Sequence, residues 1–224
     1  MPPELPMELS LAVNTSLAAL SKHAIFCTEP FRIPYAGRVD VCCFDKTGTL
    51  TGEELVVEGV AGLEKDGSLK SISDVPKETT LVLATAHALV KLDDGEVVGD
   101  PMEKATMEAL SWTLGKAASK SEEGLVEPIK SSSATKNTKT YIRRRFQFSS
   151  ALKRQSSVAQ IVEASGGVQT FASVKGAPET LRTMMAKGSL PEDYEDRYRY
   201  YTRRGSRVLA LGYRWLQNEK MSKV

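Results

Sequence analysis

The run Phe44-Asp45-Lys46-Thr47-Gly48-Thr49-Leu50-Thr51 carries the sharpest chemical signal in the chain. It follows Val39-Asp40-Val41-Cys42-Cys43, whose apolar character predicts a short buried β-strand. An acidic residue at the tip of a buried strand, followed at once by a loop of small residues, is placed to attack phosphorus. The carboxylate acts as nucleophile while loop N–H groups hold the phosphoryl oxygens. Gly48 lets the backbone come close to a phosphate. The plainer reading is a strand-to-turn with a chance Asp cap, and the unbroken specification from Asp45 to Thr51 weighs against it.

Three further runs could hold a ligand. In Gly99-Asp100-Pro101-Met102-Glu103-Lys104-Ala105, Asp100 can cap a helix, Pro101 suits its first position and Glu103 falls three residues after the cap. Glu103 reads equally as a binding carboxylate or as an acid favoured by the helix dipole. In Arg143-Arg144-Arg145-Phe146-Gln147-Phe148-Ser149, large and polar residues alternate as in an amphipathic strand, and Phe146 and Phe148 share a face. One can be core and the other a stacking platform for a base. The Arg143–Arg145 cluster reads as a solvated strand end rather than a nucleic-acid contact. Lys175-Gly176-Ala177-Pro178-Glu179 lies between a strand and a helix, where Gly176 permits a tight turn and Pro178 suits the first helical turn.

The Asp45 run resembles the phosphorylation site of the P-type ATPases, in which the aspartate becomes an aspartyl-phosphate. Pro2-Pro3-Glu4-Leu5-Pro6-Met7-Glu8-Leu9 lies about forty residues earlier, where that family has a proline-broken fourth transmembrane helix. Together with Phe26-Cys27-Thr28-Glu29-Pro30-Phe31-Arg32-Ile33-Pro34 it is similar to the type V, subclass A branch. The resemblance covers essentially the whole chain. It implies a parent protein in the endoplasmic reticulum membrane, working as an ATP-driven dislocase of transmembrane helices, with this portion on the cytosolic face. ATP and Mg²⁺ are the implied ligands, and a transmembrane-helix polypeptide the implied substrate.

The resemblance also assigns roles. Asp45 is the nucleophile. Its carboxylate and the Thr47 backbone carbonyl help hold Mg²⁺, which neutralises phosphoryl charge. Thr47 and Thr49 hydroxyls, with N–H groups around Gly48, hold the phosphoryl oxygens, while Lys46 is placed by the loop without a sharper role. Glu103 accepts a hydrogen bond from the adenine amino group. Phe148, followed by Ser149, stacks on the base, and Lys153 or Arg154 approaches phosphate. Lys175, Gly176 and Ala177 line the pocket, and Arg207, or failing it Arg204, forks onto the phosphates. Related haloacid-dehalogenase-like phosphatases often carry a second Asp two residues after the nucleophile. Thr47 stands there instead, so water is poorly activated and the acyl phosphate persists. The alternatives are a capped phosphatase of that superfamily and a nucleotide-binding module without catalysis.

The elements needed to position these groups follow. The 224 residues suffice for one large domain or two modest ones. A charged fraction of 26% with net charge +2 gives no field favouring nucleic acid. Cys27, Cys42 and Cys43 lack a metal or redox spacing, which suits a reducing compartment, and the last two read as small buried hydrophobes. Strands are expected at 55–60, 96–98, 140–148, 156–163, 168–174 and 207–215, with Gly166-Gly167 turning a hairpin. Helices are expected at 79–92, 101–114, 177–186 and 192–204. The resulting fold is α/β and α+β. An antiparallel nucleotide-binding domain flanked by helices, 52–220, is inserted after the first strand of an incomplete haloacid-dehalogenase-like phosphorylation domain. Within it 116–138 reads as a flexible loop. Residues 1–22 are expected to end a proline-broken transmembrane helix, 23–51 to start the phosphorylation domain, and 221–224 to be a truncated tail.

Overall fold

The computed structural model describes residues 4–52, 54–64, 66–115, 124–128, 138–163 and 165–216. The chain divides into two compact units, Met1–Glu53 and Glu54–Val224.

The first unit begins with helix α1, Leu5–Lys22. Pro6 falls in its first turn, where a backbone N–H has no helical partner to lose, so the helix runs on without a break. Ser10, Thr15 and Ser16 turn their hydroxyls back onto the carbonyls of Pro6, Leu11 and Ala12. Among the described residues no helix is long and apolar enough to cross a membrane. A 3₁₀ turn at Pro30–Arg32 leads into the single-turn helix α2, Ile33–Ala36. Two expectations fail here. Val39 to Cys43 forms no strand, and Cys42 and Cys43 are exposed. A strand persists only where a neighbour takes up its N–H and C=O groups, and the described residues of this unit offer none.

The second unit is built on a six-stranded antiparallel sheet flanked by helices. Its elements run α3 (Lys77–Thr85), β1 (Val90–Lys91), β2 (Val97–Val98), α4 (Pro101–Leu110), β3 (Trp112–Gly115), β4 (Gly124–Pro128), β5 (Lys139–Ser149), β6 (Arg154–Val162), β7 (Val168–Gly176), α5 (Pro178–Arg182), α6 (Tyr194–Arg203) and β8 (Ala210–Leu216). Strands β3 to β8 lie side by side in chain order, while β1 and β2 pair separately. Leu81, Val82, Leu89, Met107, Trp112, Val126, Ile142, Ile161 and Phe171 make the core, between one sheet face and helices α3 and α4.

Burial alternates along β6 and β7, as a sheet with one covered face requires. The buried positions change character along the strands. Ala159 faces Phe171, then Ser157 faces Ser173, then Gln155 faces Lys175. The Ser173 hydroxyl lies 2.8 Å from those of Ser157 and Thr85. One end of the covered face is therefore apolar and the other polar.

Several boundaries differ from expectation. Helix α3 stops at Thr85, because Ala86 leaves helical geometry and 87–89 are held by side-chain bonds described below. Helix α4 stops at Leu110, with Ser111 left-handed (φ 56°), and Trp112–Gly115 pairs with β4 instead. Strand β4 falls inside the expected 116–138 loop, most of which lies outside the described residues. The expected strand at 55–60 reduces to one isolated bridge, Val60 to Lys70.

Candidate functional site

The end of the sheet where β5 turns into β6 and β7 leaves for α5 gathers the second unit's chemistry. Register places it: Ser149 pairs with Arg154, Arg154 with Gly176, and Gly176 with Ala210. Phe148 and Lys153, Lys175-Gly176-Ala177, and the run from Arg207 into β8 thus converge from three separate stretches of sequence.

At the centre of this end is a buried ion pair. The Asp100 carboxylate accepts from the Met102 N–H at 2.8 Å and starts α4, whose first turn carries Glu103 inward to 5% exposure. Glu103 Oε1 accepts from Lys175 Nζ at 2.7 Å, and Oε2 accepts from the Ala88 N–H at 2.8 Å. Gln155, directly opposite Lys175 on β6, is also buried. Its partners fix its amide orientation: the nitrogen donates to Glu103 Oε1 at 2.8 Å and the oxygen accepts from the Ala88 N–H at 3.0 Å. A buried pair of charges is tolerable only when its remaining hydrogen-bonding capacity is met in this way.

His87 abuts this cluster at 1% exposure. Its Nδ1 accepts from the Leu89 N–H at 3.1 Å, so the neutral ring carries its proton on Nε2. Burial, and then the nearby Arg145 and Lys175 cations, push its pKa down to about 3. Arg145 donates to the Leu89 carbonyl at 3.3 Å, and Arg143 donates to Gln160 Oε1. These two arginines brace the fold, a correction to the expectation of a solvated strand end.

Neither Phe146 nor Phe148 is core: they are 47% and 61% exposed. The register shifts twice in β5, between Ile142 and Arg144 and between Phe146 and Ser149, which turns its last residues off the covered face. Lys153 closes the β5–β6 turn in a left-handed conformation (φ 48°). Its carbonyl accepts from the Ala177 N–H at 2.9 Å, stitching the two turns together. Its Nζ lies 3.6 Å from Glu179 Oε1, while Arg154 contacts the Met184 sulfur. Arg207 is exposed beside this edge. Arg204 instead lies over the Tyr200 ring at 5.3 Å and donates to the Tyr200 hydroxyl at 2.6 Å.

In the first unit the Asp45 loop is a closed ring. The Lys46 carbonyl accepts from the N–H groups of Leu50 and Thr51 and from the Thr51 hydroxyl, each at 3.1 Å. Asp45 Oδ1 accepts from the Lys46 N–H at 2.9 Å. Gly48 turns the ring at φ 77°, a conformation costly for residues with a Cβ. Asp45, Lys46, Thr47 and Thr49 are all exposed. No cluster of three or more metal-ligating side chains occurs among the described residues.

No family model matches the chain. Over 98% of its length it is 58% identical to the endoplasmic reticulum transmembrane helix translocase spfA of Aspergillus fumigatus, covering 18% of that protein. Over its whole length it is 52% identical to the endoplasmic reticulum transmembrane helix translocase of Saccharomyces cerevisiae, covering 17%. It is 32% identical to the probable cation-transporting ATPase 13A4 of Homo sapiens over 98% of its length, covering 19%. The chain belongs to the P-type ATPases. It spans less than a fifth of these relatives.

Two residues of this P-type ATPase segment escaped sequence reasoning. Gln155 needed the register: the pairing is centred on Ser165 and sets Gln155 opposite Lys175, whereas counting equally from Gly166-Gly167 sets it opposite Pro178. His87 gave no signal either, because the cations near it, Arg145 of β5 and Lys175 of β7, are remote in sequence.

Proposed function

We propose that this chain is the portion of an ATP-driven P-type ATPase that binds ATP on its second unit and carries on Asp45 the acceptor of the γ-phosphate. In this reading the second unit is the nucleotide-binding domain, inserted after the start of a haloacid-dehalogenase-like phosphorylation domain. The likeness to the helix translocases makes the parent an endoplasmic reticulum membrane protein that removes misinserted transmembrane helices, with this portion on its cytosolic face.

The observation that carries the proposal is the buried Glu103–Lys175 pair at the sheet end where Phe148 is left exposed. An aromatic face outside the core suits a stacked base. A carboxylate fixed in place suits the amino edge of adenine. Lys153 and Arg207 supply cations at the same end for the phosphates. For the acceptor, Asp45 and the Thr47 carbonyl fit Mg²⁺ as hard oxygen donors on an exposed loop. Mg²⁺ takes few protein oxygens and completes its shell with water and substrate phosphate. It would supply charge neutralisation at the phosphoryl group. The chain's own part is to hold Asp45 against the closed loop and to present N–H groups and hydroxyls around it.

The test has two arms. ATP added to the ¹⁵N-labelled chain should shift Phe148 and Lys175–Ala177, and Phe148→Ala should weaken binding by about 1–3 kcal/mol. Shifts confined elsewhere would place the nucleotide wrongly. In the parent protein, γ-labelled ATP should give an acid-stable, hydroxylamine-labile label that Asp45→Asn abolishes. A label that survives the substitution would overturn the nucleophile.

A further inference from the structure

Ser206 stands three residues after Arg203 and two after Arg204, and Arg207 follows it directly. One other serine has two cations at the same spacing, Ser156 after Lys153 and Arg154. The fold separates the two. Ser156 is inside β6, paired with Phe146 of β5 on one side and Val174 of β7 on the other. Ser206 opens a stretch without regular structure, 206–209, between α6 and β8, and Arg203, Arg204 and Arg207 around it are all exposed. It closes the end of α6. The Ser206 N–H donates to the Tyr201 carbonyl and the Gly205 N–H to the Thr202 carbonyl, each at 3.1 Å, with Gly205 left-handed at φ 93°. The Ser206 hydroxyl donates to Glu58 Oε2 at 2.9 Å, on the wall of an open cavity of about 390 Å³ that Arg204 also lines. Arg204 engages a neutral partner there, the Tyr200 hydroxyl.

We propose that Ser206 is a phosphorylation site for an arginine-directed protein kinase, and that the added phosphate exchanges Glu58 for Arg204 as its partner. The inference is independent of the nucleotide reading above. A kinase of this class presents carboxylates to its substrate, and two guanidinium forks at fixed spacing before the serine meet them. The serine must be presented on an extended segment. Residues 206–209 are already free of helix and sheet, and the last turn of a helix opens at small cost. Ser206 Oγ bonds to the γ-phosphorus of kinase-bound ATP as the bond from that phosphorus to the β,γ-bridging oxygen breaks. The hydroxyl proton passes to the kinase's base and ADP leaves. The ester carries a charge of about −1.5 to −2, so the Glu58 carboxylate and the C-terminal end of α6 both repel it. Arg204 lies on the same cavity, and a guanidinium bonds phosphate more strongly than it bonds a phenol. The exchange releases Glu58 from the loop before β8 and Arg204 from Tyr200.

The folded 224-residue chain, given γ-labelled ATP and the catalytic subunit of cyclic-AMP-dependent protein kinase, should take a label on Ser206. Stability of that label to hydroxylamine separates it from an acyl phosphate on Asp45. Ser206→Ala should remove it, and Ser156→Ala should leave it. Arg203→Gln, which alters neither the hydroxyl nor the cavity, should slow labelling by about tenfold or more. The folded chain should be labelled within about a hundredfold of the rate of a free peptide of residues 200–209. Labelling of Ser206 only after denaturation, or of Ser156 in its place, overturns the proposal. The exchange of partners is read by ³¹P NMR of the phosphorylated chain. The second ionisation of the ester should fall below its ordinary value of about 6, because a guanidinium favours the dianion. An ionisation at or above that value would leave the ester beside Glu58 and refute the exchange.

Discussion

At the scale of single residues, His87 gives the chain a pH dependence that its composition does not suggest. It is neutral when folded because burial, and then Arg145 and Lys175, hold its pKa near 3. In the unfolded chain the ring protonates near the ordinary value of 6.5. Between those values the unfolded state binds the extra proton, so stability falls as pH falls, by about 1.4 kcal/mol per unit. Roughly 2 kcal/mol should be lost between pH 7 and pH 5. Urea midpoints followed by tryptophan fluorescence measure this. His87→Leu should be less stable at pH 7 and show a flatter profile over that window. A variant as pH-sensitive as the wild type would assign the dependence to other groups.

At the scale of elements, the β5–β6 turn and the exit of β7 behave as one piece. A Cβ on Gly176 would lie 2.5 Å from the Lys153 carbonyl oxygen and 2.8 Å from the Arg154 Cα. Both are backbone atoms with little room to yield. Gly176→Ala should therefore cost about 1–3 kcal/mol in urea unfolding and shift the amide signals of Lys153 and Ala177. An unchanged midpoint would show that the two turns are not packed together. The hairpin was legible in sequence because alternation in β5, β6 and β7 is strong and Gly166-Gly167 marks the turn. The ends of α3 and α4 were not, because Ala86–Leu89 and Trp112–Gly115 continue an apolar helical spacing. Their backbones are claimed by Glu103, His87 and β4, which periodicity cannot see. Val39–Cys43 failed as a strand for the converse reason: a strand pattern without a partner specifies no ladder. Glu103, Phe148, Lys175 and Arg207 could be named from their runs, but the three-donor grip on Glu103 required the register.

At the scale of the whole molecule, every residue of the core cluster lies in the second unit, from Leu81 to Phe171. Residues 54–216 should therefore fold without the first unit. Their amide signals for Val126, Ile142 and Phe171 should match those of the full chain, and collapse of those signals would show that the first unit is needed. Strands β3 to β8 also stand in the sheet in the order in which they are made. A ribosome delivers roughly 5–20 residues per second, whereas a hairpin closes in about 1–10 μs. Each strand can thus dock on a finished edge long before the next one emerges. Because β8 comes last and Arg207 leads into it, a nascent chain has Glu103, Phe148 and Lys175 assembled before it has the final cation.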